Sequence, residues 1–165
     1  MVKLNIKDWL AKHSVSSKRA GDELIFSHAT GHTSILLIRE GWRDDILSPN
    51  SESLRALYEN LLGASIGDGQ IIVGTPVRGG VSVSQDFLIP DIEAMANQSR
   101  KLGMPIPETR EVFIMEASWM FLYAIDRTPS GEVLVRYDRD LQRSDTLSAV
   151  ELVLEDWWEM VQAER

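Results

Sequence analysis

Apolar positions along this chain follow two periods, and the places where one gives way to the other divide it into elements. Leu4, Ile6, Trp9 and Leu10 form a loose stripe at helical spacing, which predicts a short amphipathic helix over residues 4–13. The polar stretch SVSSKRAGD then reads as a loop. ELIFS and TSILLI are β-type runs joined by the five residues HATGH, a hairpin pattern. EGWRDDILSPNSES reads as irregular, with Ser51 or Ser53 placed to cap the element that follows.

Leu54, Leu57, Tyr58, Leu61 and Leu62 recur at helical spacing and predict a helix over 52–62. Gly63 follows its last apolar turn, where a left-handed cap favours glycine. Asp68-Gly69 is a turn pair, and QIIVGT is a strand. VRGGVSVSQDF reads as a loop with room for one short strand. In PDIEAMANQSRKLG, Ile92, Met95, Ser99 and Leu102 share one helical side, and Gly103 ends it.

MPIPET breaks the chain before VFIM and WMFLYAI, which are too apolar for exposed strands and belong centrally in a sheet. DRTPSG joins the second of these to EVLVRY as a hairpin. Leu147, Val150, Leu154, Trp157 and Val161 mark a closing helix over 147–162, with Ser148 and Glu151 spaced as a capping box. Of Trp157 and Trp158, only one can face the core. The irregular succession of strands and helices predicts an α+β fold, a largely antiparallel sheet with flanking helices, in a single domain spanning 1–165.

The segment ENLLGASIGDGQIIVG carries four glycines in sixteen residues and raises the question of a phosphate loop. Phosphate loops run strand, glycines, helix, because free N–H groups at a helix N-terminus hold the anion. The predicted order here is helix, glycines, strand, which presents carbonyls instead. The segment reads as structural. GASIG satisfies G-x-S-x-G literally around Ser65, but the nucleophile elbow also needs a strand before it and a helix after.

Composition narrows the picture further. A chain of 165 residues is long enough to bury roughly 70% of its unfolded surface in one core. The absence of cysteine excludes disulfides, thiolate nucleophiles and cysteine-ligated zinc, and fits a reducing compartment. The lysine-bearing start lacks the apolar core of a secretory signal, and the longest apolar run, WMFLYAI, is too short to span a bilayer. The expectation is a soluble, cytoplasmic protein.

Net charge is −8 and unevenly spread. Residues 1–43 hold seven Lys/Arg against four Asp/Glu, a balance of +3, which leaves −11 for the remainder. An acidic surface disfavours nucleic acid and favours association with a basic partner. It also serves solubility alone.

Three constellations invite a chemical reading. His28 and His32 bracket a hairpin turn with no third metal ligand evident. Asp138, Asp140 and Asp145 follow a strand end where carboxylates can hold Mg²⁺, but Arg139 and Arg143 interleave with them and compensate the charge. RGG occurs once, at residues 78–80, and reads as a turn.

The run SESLRALYENLLGASIGDGQIIVG resembles the SUKH superfamily, which includes bacterial toxin-immunity proteins and fungal Smi/Knr-type regulators. Tyr58 matches the family's helix-borne aromatic, Gly63-Ala64 its small-residue turn, and Ile66-Gly67-Asp68-Gly69 its I-G-x-G segment. The strand pair within 119–137 and the acidic helix SAVELVLEDWWEMV complete the resemblance, which covers residues 50–162. The chain departs from the family in having LSPNSES where Leu-Pro is common, and residues 1–43 stand outside it as an extra helix and hairpin.

The resemblance implies a non-catalytic protein-binding domain without a cofactor. In bacteria that means an antidote to a toxin, often a nuclease. By charge, Asp126, Asp138, Asp140, Glu151, Glu155, Asp156 and Glu159 are the candidate contact residues for a basic partner. Two other readings stay open: an adaptor or regulatory module of the same fold, and a hydrolase using Ser65 or the Asp138/Asp140 pair. Oligomeric state is not readable from the sequence.

Overall fold

A strand buries its apolar face only against a second layer, and both faces of one large sheet are covered here. The computed structural model describes residues 1–39, 46–84, 86–101, 107–116, 121–137 and 144–163. In chain order the elements are α1 (Ile6–Lys12), β1 (Ser16–Ala20), β2 (Glu23–Ser27), β3 (Thr33–Ile38), α2 (Glu52–Leu57), β4 (Leu61–Ile66), β5 (Ile71–Val73), β6 (Val81–Ser84) and β7 (Phe87–Ile89). They continue with α3 (Ile92–Lys101), β8 (Arg110–Glu116), β9 (Leu122–Thr128), β10 (Gly131–Tyr137), β11 (Ser144–Leu147) and α4 (Glu151–Ala163).

Nine strands form one sheet in the order β1-β2-β3-β4-β5-β8-β9-β10-β11. Every neighbouring pair is antiparallel. The fold is α+β, as the alternation of elements predicts. Among the described strands, β6 and β7 stand apart from the main sheet, as a separate hairpin between β5 and β8 in the chain.

The main core lies on the face covered by α1, α2 and α4, where Trp9, Leu54, Tyr58, Leu154 and Trp157 meet Phe113, Tyr123 and Ile125 of the strands. The opposite face is covered in two parts. Met95 of α3 packs with Val112, Leu122, Ala124 and Val135, and the β6–β7 hairpin packs Val83 and Ile89 with Leu37, Leu62 and Val77.

Several predicted boundaries move, each for a physical reason. The helix predicted over 52–62 stops at Leu57, and Leu61 and Leu62 begin β4. All six residues of β4 are buried between β3 and β5, so a strand covered on both faces shows a continuous apolar run that also fits a helical stripe. Gly63 is therefore not a helix cap. It lies inside β4, where a Cβ atom would meet Ile89 Cγ2 at 2.9 Å and the Val73 carbonyl at 3.0 Å. Ser51, rather than Ser53, caps α2, accepting from Leu54 N–H at 3.2 Å.

The stretch read as a loop at 14–22 contains β1, whose five side chains are all exposed. An edge strand of this kind carries no apolar alternation, and Lys18 and Arg19 keep it from recruiting another strand. Residues 77–87 hold β6 and the first residue of β7. Leu147 belongs to β11, opposite Leu134. The closing helix starts only at Glu151, entered through bonds from Leu152 N–H to Ala149 O and from Val153 N–H to Val150 O. Residues 1–39 supply α1 and three strands that extend the same sheet. The predicted Leu102 and Gly103 at the end of α3, and Trp119 and Met120 before β9, lie outside the described residues.

Gly67, Asp68 and Gly69 form the left-handed turn between β4 and β5, at φ of 61°, 57° and 88°. A strand follows this turn, so it offers no helix N-terminus to a phosphate.

Candidate functional site

Of the charge-selected residues that are described, the structure gathers those on α4 and places Asp126 apart from them. Glu155, Asp156 and Glu159 are exposed on the outer side of α4, while Val153, Leu154, Trp157 and Val161 turn inward. Leu152 and Met160 share that outer side and remain 41% and 50% exposed, two apolar side chains about 12 Å apart along the axis. Glu151 is half-buried in the first turn. The last turn of α4 holds no basic residue, so the negative end of the helix dipole adds to the acidic side chains. Behind the helix, burial pushes the Glu116 carboxyl above its ordinary range, opposed by a bond from Tyr123 Oη at 2.8 Å. Nearby Asp156 pushes in the same direction as burial.

Asp126 belongs to a different place. It lies on the α3 side of the sheet, the side opposite α4, where Arg110 Nε donates to it at 3.0 Å and Thr109 Oγ1 at 2.8 Å. Asp138 and Asp140 lie outside the described residues. Asp145 of β11 accepts from Arg136 at 3.4 Å.

Arg110 borders a cleft of about 600 Å³ between α3, the start of β8 and the segment at 47–50. Arg78, Arg100 and Arg127 line the same cleft, with Ile92 and Val112 among its apolar residues. The 47–50 wall is fixed from two sides. Glu111 accepts from Asn50 N–H and Ser51 N–H at 3.2 and 2.8 Å, and Arg55 donates to the Pro49 and Asn50 carbonyls. Behind the Arg78 loop, Asp91 accepts from Gly79 N–H and also caps α3 through Ala94 N–H. Arg110 is held by Asp126, by the Tyr137 hydroxyl and by the Tyr137 ring face, 5.5 Å from its centroid. Burial works against its charge, but these bonds outweigh burial and raise its pKa. No sequence motif announces the cleft, because its arginines come from a loop, a helix and two strands.

The histidines belong to an aromatic cluster with Trp9, Trp157 and Trp158. His28 is buried, with Nδ1 2.7 Å from the His13 carbonyl and Nε2 2.7 Å from Ser34 Oγ. Ser34 Oγ also accepts from Gly67 N–H at 3.0 Å. This assigns the tautomer: Nδ1–H donates to His13, and Nε2 accepts the Ser34 hydroxyl proton. Trp157 meets His28 and His32 edge-on, at centroid distances of 5.8 and 6.0 Å. Trp157 is the tryptophan that faces the core, and Trp158 packs at its edge against Trp9 and His13. Among the described residues no three His, Asp or Glu side chains group as metal ligands.

Ser65 is buried within β4, opposite Ile35 and Ile72 on the neighbouring strands. Strands, not a strand and a helix, flank its glycines. Among the described residues no helix is long and apolar enough to cross a membrane. Comparison of the chain with protein-family models, with curated proteins and with solved structures returned no match.

Proposed function

We propose that this chain is a non-catalytic protein-binding domain of the SUKH type, an immunity protein that neutralises a basic toxin domain in the cytoplasm. The outer side of α4 carries the reading: Glu155, Asp156 and Glu159 stand between exposed Leu152 and Met160 on one rigid helix. Apolar anchors ringed by like charge suit a cationic protein surface, the anchors supplying buried area and the acids steering the encounter. Steering of this kind raises association rates by roughly 10 to 1000-fold at low salt. The burial of Ser65 supports the same reading, since a hydroxyl inside a central strand has no open space for a substrate.

Affinity capture with the full chain from its native cell tests the proposal. The expected result is one stoichiometric basic protein whose retention falls as salt rises. The Glu155→Lys/Glu159→Lys variant should lose that protein while melting at the parent temperature, because both side chains are exposed. Retention by this variant, or a partner indifferent to salt, overturns the reading.

A further inference from the structure

The cleft beside α3 holds four of the chain's twelve arginines, in a protein whose net charge is −8. Its position is opposite the acidic helix, across the sheet, and it plays no part in the proposed partner surface. Three glutamates share the lining. Both carboxylate oxygens of Glu111 are engaged, by the backbone N–H groups of Asn50 and Ser51, while Glu93 and Glu108 are exposed.

The four guanidinium groups differ in how they are held. Arg110 is fixed by Asp126 and Tyr137. Arg100 donates to Asn97 and Arg127 to the Glu108 carbonyl, both neutral acceptors, and neither has an ion-pair partner among the described residues. Arg78 is exposed on its loop and has no ion-pair partner among the described residues.

A guanidinium presents a planar fork of N–H donors that matches the paired oxygens of a carboxylate or phosphate. Several forks around one concavity create a region where an oxyanion is favoured, although the whole protein repels it. The cleft volume, about 600 Å³, falls within the range of small-molecule sites. Ile92 and Val112 give the lining an apolar component that accommodates a carbon body behind the charged head. The walls are preformed: α3, the capped loop at 79–80 and the bonded segment at 47–50 need not be ordered by the ligand.

We propose that this cleft binds a small organic anion, its phosphate or carboxylate held by the arginines and its body set against Ile92 and Val112. Arg110 is the fixed anchor. Asp126 acts as the positioning residue that holds it.

The two sources of the oxyanion are separated by titrating the full chain, at low salt, with phenyl phosphate in one arm and benzoate in the other. Arginine side-chain N–H signals are followed by NMR. A saturable shift confined to the cleft arginines is expected in at least one arm, and the arm that saturates first names the head group. The Arg78→Gln/Arg100→Gln variant, altered only at exposed positions, should bind about tenfold more weakly or worse. No saturable shift up to about 10 mM in either arm overturns the proposal. Shifts spread over arginines outside the cleft, or equal binding by the variant, overturn it as well.

Discussion

The Trp157 ring occupies the space that a side chain at Gly67 would need: a Cβ atom there would lie 2.1 Å from Trp157 Cζ2. Across the same turn, a Cβ at Gly69 would lie 2.1 Å from Phe87 Cζ. The β4–β5 turn is thus clasped from both faces of the sheet, by α4 on one side and β7 on the other. Gly67→Ala should cost about 2–4 kcal/mol, combining the left-handed backbone penalty with displacement of a buried indole. Chemical denaturation of parent and variant measures it, and a change below about 0.5 kcal/mol would contradict the packing described.

His28 links stability to pH. Burial holds its pKa below the ordinary 6.5, the His13 carbonyl and Asp68 oppose this, and repulsion from the neighbouring His32 and His13 rings adds to burial. Because the folded value is depressed, the unfolded chain takes up the proton first as pH falls. The stabilisation is complete above pH 6.5 and is lost as pH drops towards the folded value. The slope from this one group is at most about 1.4 kcal/mol per pH unit. Denaturation curves for the parent and His28→Gln at pH 7.5 and near pH 5.5 should converge as pH falls, since only the parent loses this contribution.

Ser34 is the hinge of that network, accepting from Gly67 N–H while donating to His28. Ser34→Ala leaves a buried amide and a buried imidazole nitrogen without partners, and the expected loss is about 2–4 kcal/mol. Ser34→Thr, which restores the hydroxyl, should recover part of it. Equal stability of Ser34→Ala and the parent would sink the buried network of Gly67, Ser34 and His28.

Tyr58 points the other way. Its hydroxyl is buried without a hydrogen-bond partner among the described residues, and burial beside Glu111 raises its pKa far above the ordinary value. Removing an unsatisfied polar atom relieves a desolvation cost, so Tyr58→Phe should leave stability unchanged or raise it by up to about 1 kcal/mol. A thermal melt distinguishes this from the destabilisation expected of a bonded tyrosine.

Local pattern was enough wherever one face of an element is buried and the other is wet. α3 and the inward stripe of α4 were legible because solvent on one side imprints the period on the sequence. The acidic outer side of α4 was legible for the same reason. The β2–β3 and β9–β10 hairpins, covered on both faces, were legible instead as β-type apolar runs joined by turn residues. Asp126 was not assignable, because charge alone does not reveal which face of a sheet a residue occupies or which cation it meets.

Tertiary structure decided everything that depends on partners distant along the chain. β4 is a strand because β3 and β5 claim its backbone, although Leu61 and Leu62 extend a helical stripe. β1 and β11 are strands by pairing alone, one fully exposed and the other a four-residue edge. Only folding brings Arg78, Arg100, Arg110 and Arg127 around one cleft, since hydrogen-bonded pairing and burial act through space and leave no period in the order of the residues.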